Sequence, residues 1–445
     1  MKLTFRSTFP VSREALAGYH FAPRAFERLN PPFDLAEVVD NPGLLEGART
    51  TLRLPFGPGK VTMVVEHTEV KPGHGFLDVQ REGPFARFSN LHRFVEDGAG
   101  SAREDALELV APLGPLGSVA NGSIAARAEA SMRYRHQLLA LDLPRHAAFA
   151  DRPRLTVALS GASGLVGSTL ADFLSTGGHT VRKMKRQGAD GIDAAALEGA
   201  DAVIHLAGAG VADQRWSPER KRELLTSRVD FTKALVKRLR ALSKPPKVLV
   251  SASGIGVYGD RGDEALDESS SVGPGGDDGV AFLTRICHGW EEAALEARDL
   301  TRVAIVRFGA VLSAKGGALA KMLPALSAGA AGPIAGGAQW MSWVCLEDVI
   351  GSLHQLLWRD ELSGAFDVVS PEPLRNREFM SRAAAVLGRP AFMPAPAFAL
   401  KLAFGEMAEA TLLPSQRVVP KRLQESGFSF AHPTLEECLR FTLGR

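Results

Sequence analysis

Arg154–Arg186 reads RLTVALSGASGLVGSTLADFLSTGGHTVRKMKR, and its pattern decides the fold. Leu155–Leu159 is a short apolar run rich in β-formers, which predicts a buried strand. Gly161-Ala162-Ser163-Gly164-Leu165-Val166-Gly167 follows at once, then a helical pattern with Leu165, Leu170 and Leu174 on one side. Gly177-Gly178 ends that helix and His179–Met184 begins a second strand. Strand, glycine turn, helix, strand is the first unit of a dinucleotide-binding fold. A side chain in the turn would hold a pyrophosphate away from the backbone N–H groups at the helix N-terminus, and the last glycine lets helix and strand pack closely. Gly161 to Gly167 are therefore the predicted cofactor cradle.

The end of the second strand indicates which dinucleotide. An NAD site usually places an acidic residue about 20 residues past the glycines to hold the ribose 2′-hydroxyl. Here the strand ends Arg182-Lys-Met-Lys185-Arg186, with no carboxylate before Asp190. Cations suit a 2′-phosphate, and an arginine grips it bidentately. The predicted cofactor is NADP(H), with Lys185 and Arg186 on the phosphate.

A chain of 445 residues with 45% hydrophobic and 23% charged content exceeds one ordinary domain and has ample core. A net charge of +2 argues against a nucleic-acid partner. Cys287, Cys345 and Cys438 are far apart, without metal-ligand spacing, which predicts a reducing compartment and no metal site. With no signal-peptide core and no run of 18 apolar residues, the expected location is cytoplasmic, with no membrane span.

Residues 1–148 have a different texture. Strand-like runs (Leu52–Leu54, Val61–His67, Gly75–Val79, Leu91–Val95) alternate with turn clusters, as in an antiparallel sheet. A helical stretch at Arg13–His20 precedes them, and a longer one at about Ser123–Leu141 follows. The simplest architecture is a curved sheet wrapped round one long helix. Pro144–Pro153, polar and bracketed by prolines, predicts the connection between domains, with the linker proper at 149–153. On the matches Tyr19-His20-Phe21, Ala25–Leu29, Gly83-Pro84-Phe85, Leu91–Phe94, Ala111–Gly117 and Tyr134-Arg135-His136, this part resembles the START-like polyketide cyclase/dehydrase superfamily. That resemblance implies an α+β helix-grip domain whose cavity accepts an apolar ligand. His20, His92 and His136 read as hydrogen-bonded structural residues.

From residue 154 strands and helices alternate. Ala202–Leu206 runs into Ala207-Gly208-Ala209-Gly210, a second small-residue turn that lets backbone approach a dinucleotide. A charged helix over Pro218–Leu242 and strands at Lys247–Ser253 and Arg302–Phe308 complete the pattern of a parallel sheet covered on both faces. Ligands in such folds sit at the carboxyl ends of the strands.

GxxGxxG, His205-Leu206-Ala207-Gly208 and Ser251-Ala252-Ser253 leading to Tyr258-Gly259 resemble the extended short-chain dehydrogenases/reductases. Asp213-Gln-Arg215-Trp216, Ser227-Arg228, Gly336–Trp343, Gly405–Ala408 and Pro414–Val418 narrow the resemblance to atypical members of the NAD-dependent epimerase/dehydratase family. The resemblance spans 154–445. It implies a Rossmann-like doubly wound domain with a C-terminal cap at about 385–445, and a cofactor lined by Leu206, Ala207, Gly208, Ala209, Ser251 and Ala252. A cap helix at Pro394–Leu402 would close over the substrate.

The departures from the family pattern are specific. The superfamily's Tyr-x-x-x-Lys pair provides a general acid/base and the lysine that tunes it. Anchored on Glu291, the corresponding positions here are Leu283 and Cys287, and Arg228 stands where an asparagine is usual. Ser253 remains as a hydrogen-bond group for substrate. Tyr258 is the first substitute proton carrier, with Arg228 as its cationic neighbour and His288 behind. Gln339, Trp340 and Trp343 fit either a substrate wall or a strand with one buried face. Two functions fit these residues: an NADP(H)-dependent oxidoreductase or epimerase acting on a small substrate, and a non-catalytic NADP(H)-binding regulator. The second is suggested by relatives in cyanobacteria and plastids that are linked to cell division.

Overall fold

In the computed structural model residues 1–34, 36–56, 59–111, 121–185 and 191–445 are described. The chain divides into two compact units: Met1–Pro153 with Asp172–Gly178 and Phe441–Arg445, and Arg154–Ala171 with His179–Arg440.

The first unit is built on seven strands, β1 (Lys2–Phe9), β2 (Glu37–Asp40), β3 (Arg49–Phe56), β4 (Gly59–Lys71), β5 (Gly75–Glu82), β6 (Arg87–Asp97) and β7 (Gly100–Val110). They form one antiparallel sheet in the order β1-β7-β6-β5-β4-β3-β2. Burial alternates along β4, with Met63, Val65 and His67 inward, as a sheet with one covered face requires. Short helices α1 (Arg13–Phe21) and α2 (Ala25–Leu29) precede β2, and α3 (Asn121–Ala147) follows β7. Leu138, Leu139 and Leu143 of α3 pack with Leu16, Phe76 and Phe94. The antiparallel sheet and the long helix are as the sequence suggests. The helix, however, continues through Pro144. Pro144 forgoes the N–H bond to the Ala140 carbonyl, and the helix ends three residues later at Ala147.

The main sheet of the second unit has six parallel strands: β8 (Thr156–Ser160), β9 (Thr180–Lys183), β10 (Ala202–His205), β11 (Val248–Gly254), β13 (Arg302–Phe308) and β17 (Gly364–Val368). Their order is β17-β13-β11-β10-β8-β9, so chain direction reverses between β8 and β10, a switch point where α/β sheets bind ligands. Central strands are buried nearly end to end, as parallel strands covered on both faces must be. Helices α4 (Leu165–Thr176), α5 (Ala194–Leu197), α6 (Pro218–Leu225) and α7 (Phe231–Arg240) come before β11, and α8 (Gly279–Leu295) before β13. Leu235, Val236 and Leu239 of α7 join Val203, Leu249 and Ile305 in one cluster, each buried side chain contributing about 1.5–3 kcal/mol. Small pairings surround this sheet: β12 (Ala265–Leu266) with β19 (Arg417–Val418), β14 (Ala310–Ser313) with β16 (Trp343–Cys345), and β15 (Trp340–Met341) with β18 (Leu374–Arg375).

Two expectations need correction here. The helix read as continuous over Pro218–Leu242 is α6 and α7 joined by a π turn at Thr226–Asp230. The predicted cap helix spans Ala397–Phe404 and buries none of its residues. Phe398 and Leu402 are 74% and 77% exposed, so the helix does not close down on the domain.

Candidate functional site

The glycine turn is explained atom by atom. Gly161 has φ +72°, and a Cβ there would lie 2.7 Å from the carbonyl carbon of Leu206. A Cβ on Gly167 would meet the Gly161 oxygen at 2.2 Å, so α4 can sit on the turn only without a side chain. Gly164 is different. Its nearest neighbour would be 3.4 Å away, and both Ser163 and Gly164 are exposed. The turn is closed towards the protein and open at the N-terminus of α4, which is the geometry a pyrophosphate needs. Lys185, two residues past the end of β9, is exposed, and its ammonium has no ion-pair partner among the described residues. Arg186 lies outside the described residues. These residues fit an NADP(H) molecule.

The second turn, Leu206–Gly210, lies against the first, with the Leu206 N–H on the Ser160 oxygen at 3.2 Å. Arg228 fastens it, donating to the Ala209 oxygen at 2.8 Å and the Leu224 oxygen at 3.2 Å, and lying 5.1 Å over the Trp290 ring. Arg228 belongs to the π turn between α6 and α7. The extra residue there turns its side chain in under Gly208, where a Cβ would come within 3.0 Å of the guanidinium. His205 ties Ser160 (2.7 Å) to Thr232 (2.8 Å). Burial and the Arg228 charge push its pKa down to about 3, so it is a neutral strut.

A polar row crosses the carboxyl ends of three strands. Ser253 of β11 stands opposite Arg307 of β13, and Arg307 opposite Asp367 of β17. Ser253 Oγ donates to Glu291 Oε1 at 2.7 Å. Arg307 grips both Glu291 oxygens at 2.8 and 2.7 Å and donates to Tyr258 Oη at 2.8 Å. Tyr258 Oη also lies 2.7 Å from Asp367 Oδ2 and 3.0 Å from the Asp267 carbonyl. The phenol thus shares its proton between Asp367 and the Asp267 carbonyl while accepting from Arg307. Burial, and then the charge of Glu268, raise the Asp367 pKa well above the carboxylate range. The Tyr258 side chain is 0% exposed and its pKa is raised, first by burial.

The sequence-based candidates therefore separate. Ser253, 5% exposed, is at the strand end. Tyr258 is enclosed, with all its hydrogen bonds used inside the protein, so it braces the row. Arg228 braces the second turn. Ser251 and Ala252 are buried within β11. Leu283 and Cys287 of α8 pack against Gly256, and burial pushes the Cys287 thiol up to about 12. His288 is exposed beside Glu292. Trp343 is fully buried and bonds the Glu372 carbonyl, and Gln339 bonds the Ile334 and Leu412 carbonyls. Trp340 alone of the three is half-buried, between the guanidinium groups of Arg375 (4.3 Å) and Arg417 (4.7 Å). Arg307 and Asp367 escaped the sequence reading, although a charge inside a buried parallel strand is itself a signal. No group of metal-ligating side chains occurs among the described residues. Among them, too, no helix is long and apolar enough to cross a membrane.

Comparison with known proteins follows these features. Residues 157–368 match the model of the NAD dependent epimerase/dehydratase family, and residues 395–442 match a domain of unknown function, DUF1731. An epimerase family protein of Mycobacterium bovis is 35% identical over 302 residues, covering 65% of this chain and 98% of the relative. The solved human epimerase family protein SDR39U1 with NADPH is 32% identical, with a TM-score of 0.60 over 64% of this chain and 98% of its own. A nucleoside-diphosphate sugar epimerase from Corynebacterium glutamicum is similar over 99% of this chain and 90% of its own, at 28% identity and a TM-score of 0.80.

Proposed function

Because the chain belongs to the NAD dependent epimerase/dehydratase family, we propose that residues 154–445 bind NADP(H) and act as an oxidoreductase or epimerase on a small oxygenated substrate. The observation that carries this reading is the glycine turn, closed below by Leu206 and open at the N-terminus of α4. The backbone of Gly161–Gly167 holds the pyrophosphate, the Leu206–Ala209 turn lines the next segment, and Lys185 with Arg186 takes the 2′-phosphate. Bound NADP(H) would supply or accept a hydride. On substrate binding Ser253 would turn its proton from Glu291 to the substrate oxygen, Glu291 keeping both of its bonds from Arg307. Arg307 fixes Glu291, and Tyr258 fixes Arg307. Trp340, between two guanidinium groups, faces the substrate side. The domain at 1–148 is, in this reading, a ligand-binding module of the START-like helix-grip kind, and the protein is cytoplasmic.

The enclosed Tyr258 hydroxyl favours the second reading, a regulator that binds NADP(H) without turnover. One titration series separates them. NADPH fluorescence should show tight binding, and replacing Lys185 and Arg186 by alanine should weaken NADPH roughly 10-fold or more while leaving NADH unchanged, since charge-assisted bonds contribute about 1.5–3 kcal/mol. Equal losses for both nucleotides would remove the 2′-phosphate assignment. NADPH oxidation against a panel of keto compounds should fall about 100-fold in Ser253→Ala if that hydroxyl stabilises the reacting oxygen. Binding without oxidation of any member leaves the regulator.

A further inference from the structure

The first unit contains a cavity of about 540 Å³ between sheet and helix, within the range of about 300–1,000 Å³ typical of small-molecule sites. Its walls are ordered. Leu52, Leu54, Val61, Met63, Phe88 and Leu109 make one end apolar. At the other, His67 of β4, Asp78 of β5 and Asn90 of β6 are direct cross-strand neighbours and form a polar row. On the helix side, Ile124, Ala128, Ser131 and Arg135 follow one stripe of α3. Beyond Arg135 the stripe becomes solid core, with Leu138, Leu139 and Leu143 buried.

The charges in this cavity do not balance by contact. Asp78 accepts from His67 at 2.7 Å and His92 at 3.2 Å. Burial opposes its ionisation, but those two bonds bring its pKa down to about 2. Asp34 is paired with Arg127 at 3.0 Å. Arg135 has no hydrogen bond or ion pair among the described residues. Its Nε is buried without a partner, the Phe26 ring lies 5.9 Å from the guanidinium carbon, and Asp34, Asp105 and Asp78 act on it only at a distance. Asn90, 3% exposed, has an unpartnered Oδ1 as well. A guanidinium that lines a cavity and keeps its Nε buried without an acceptor is costly, and a ligand carboxylate is the partner whose geometry matches it in two bonds.

We infer that the cavity of the first unit holds an amphipathic carboxylic acid, its head on Arg135 beside Asn90 and its hydrocarbon chain along the apolar wall. This rests on reading the domain as a ligand-binding module and adds the charge and position of the head group. The test uses the full chain loaded with Nile red, a neutral apolar dye, displaced by dodecanoate or by dodecan-1-ol. Dodecanoate should displace the dye at a concentration at least 10-fold lower than the alcohol. Arg135→Met should erase that difference and leave the alcohol unaffected. Equal displacement by acid and alcohol in the unaltered protein overturns the head-group assignment while the module reading stands. Failure of the dye and of both amphiphiles to bind overturns both. If Arg135→Met does not fold, the acid-to-alcohol ratio of the unaltered chain decides alone.

Discussion

Two polar rows, each crossing three neighbouring strands, differ in how they end. In the parallel sheet Ser253, Arg307 and Asp367 are joined by Glu291 and Tyr258. The cation has its carboxylate, and what remains unmatched is one oxygen of Asp367, Oδ1. In the antiparallel sheet His67, Asp78 and Asn90 share a cavity with Arg135, whose Nε is buried without a partner among the described residues. A row whose charges are paired inside the protein is a brace, whereas a row with an unpaired charge beside a cavity is prepared for something outside it.

Removing the two arginines should therefore have opposite results. Arg307→Met strands Glu291 in the interior and releases Tyr258, which is expected to cost about 3–5 kcal/mol. Arg135→Met removes an uncompensated cation and should be neutral or stabilising in the ligand-free protein. Urea unfolding of both variants checks this. A loss at Arg135 as large as that at Arg307 would show that the cation is already balanced within the chain, and the contrast between the rows would disappear.

A pH scan sharpens the comparison at intermediate size. His205 is held neutral by burial, with its folded pKa near 3 against about 6.5 unfolded. Its contribution is present above the unfolded value and lost as pH falls from there towards 3. At pH 5 that amounts to about 2 kcal/mol. Asp78, also depressed but by its histidine bonds, loses its contribution only as pH falls below about 3.9 towards 2. Between pH 7 and pH 5, His205→Gln should flatten the fall in the urea midpoint, while Asp78→Asn should steepen it, because His92 loses one of the bonds that raise its pKa. An unchanged slope in the aspartate variant would mean that Asp78 does not hold the His92 charge.

The difference between the rows also explains what was legible beforehand. The βαβ unit was readable because Gly161, Gly164 and Gly167 stand between an apolar run and a helical period, all within 33 residues. The same holds for the antiparallel strands, whose alternation is local. Arg307 and Asp367 are 60 positions apart in the chain and meet only through strand order, so no local pattern announces their link to Tyr258. The tyrosine sits in a motif that suggests chemistry, and only packing reveals that its hydroxyl is enclosed. The π turn at Thr226–Asp230 was hidden for a related reason: one extra residue in a helical register leaves the charge pattern intact. In the first unit Arg135 was quoted as part of a motif, but its isolation depends on Asp34 and Asp78 being occupied elsewhere.

The smallest expected effect is at Cys287, where the family's lysine is replaced. Its thiol is packed by Ile255, Val257, Tyr258 and Leu266, and burial keeps it protonated at neutral pH. A neutral thiol in such a place acts as a small apolar group. Cys287→Ala removes one sulfur atom's worth of packing, which should cost about 1 kcal/mol or less of stability. NADPH affinity and any NADPH oxidation should stay within about 2-fold of the unaltered protein, because no charge and no hydrogen bond at the nucleotide is lost. Ser253→Ala, on β11, is the control that should lower oxidation about 100-fold, at the further cost of the hydrogen bond it gives buried Glu291. If the cysteine variant is instead inactive while still folding and binding NADPH, the thiol takes part in the chemistry. The paired row at Ser253 would then be only a support for a site centred on α8.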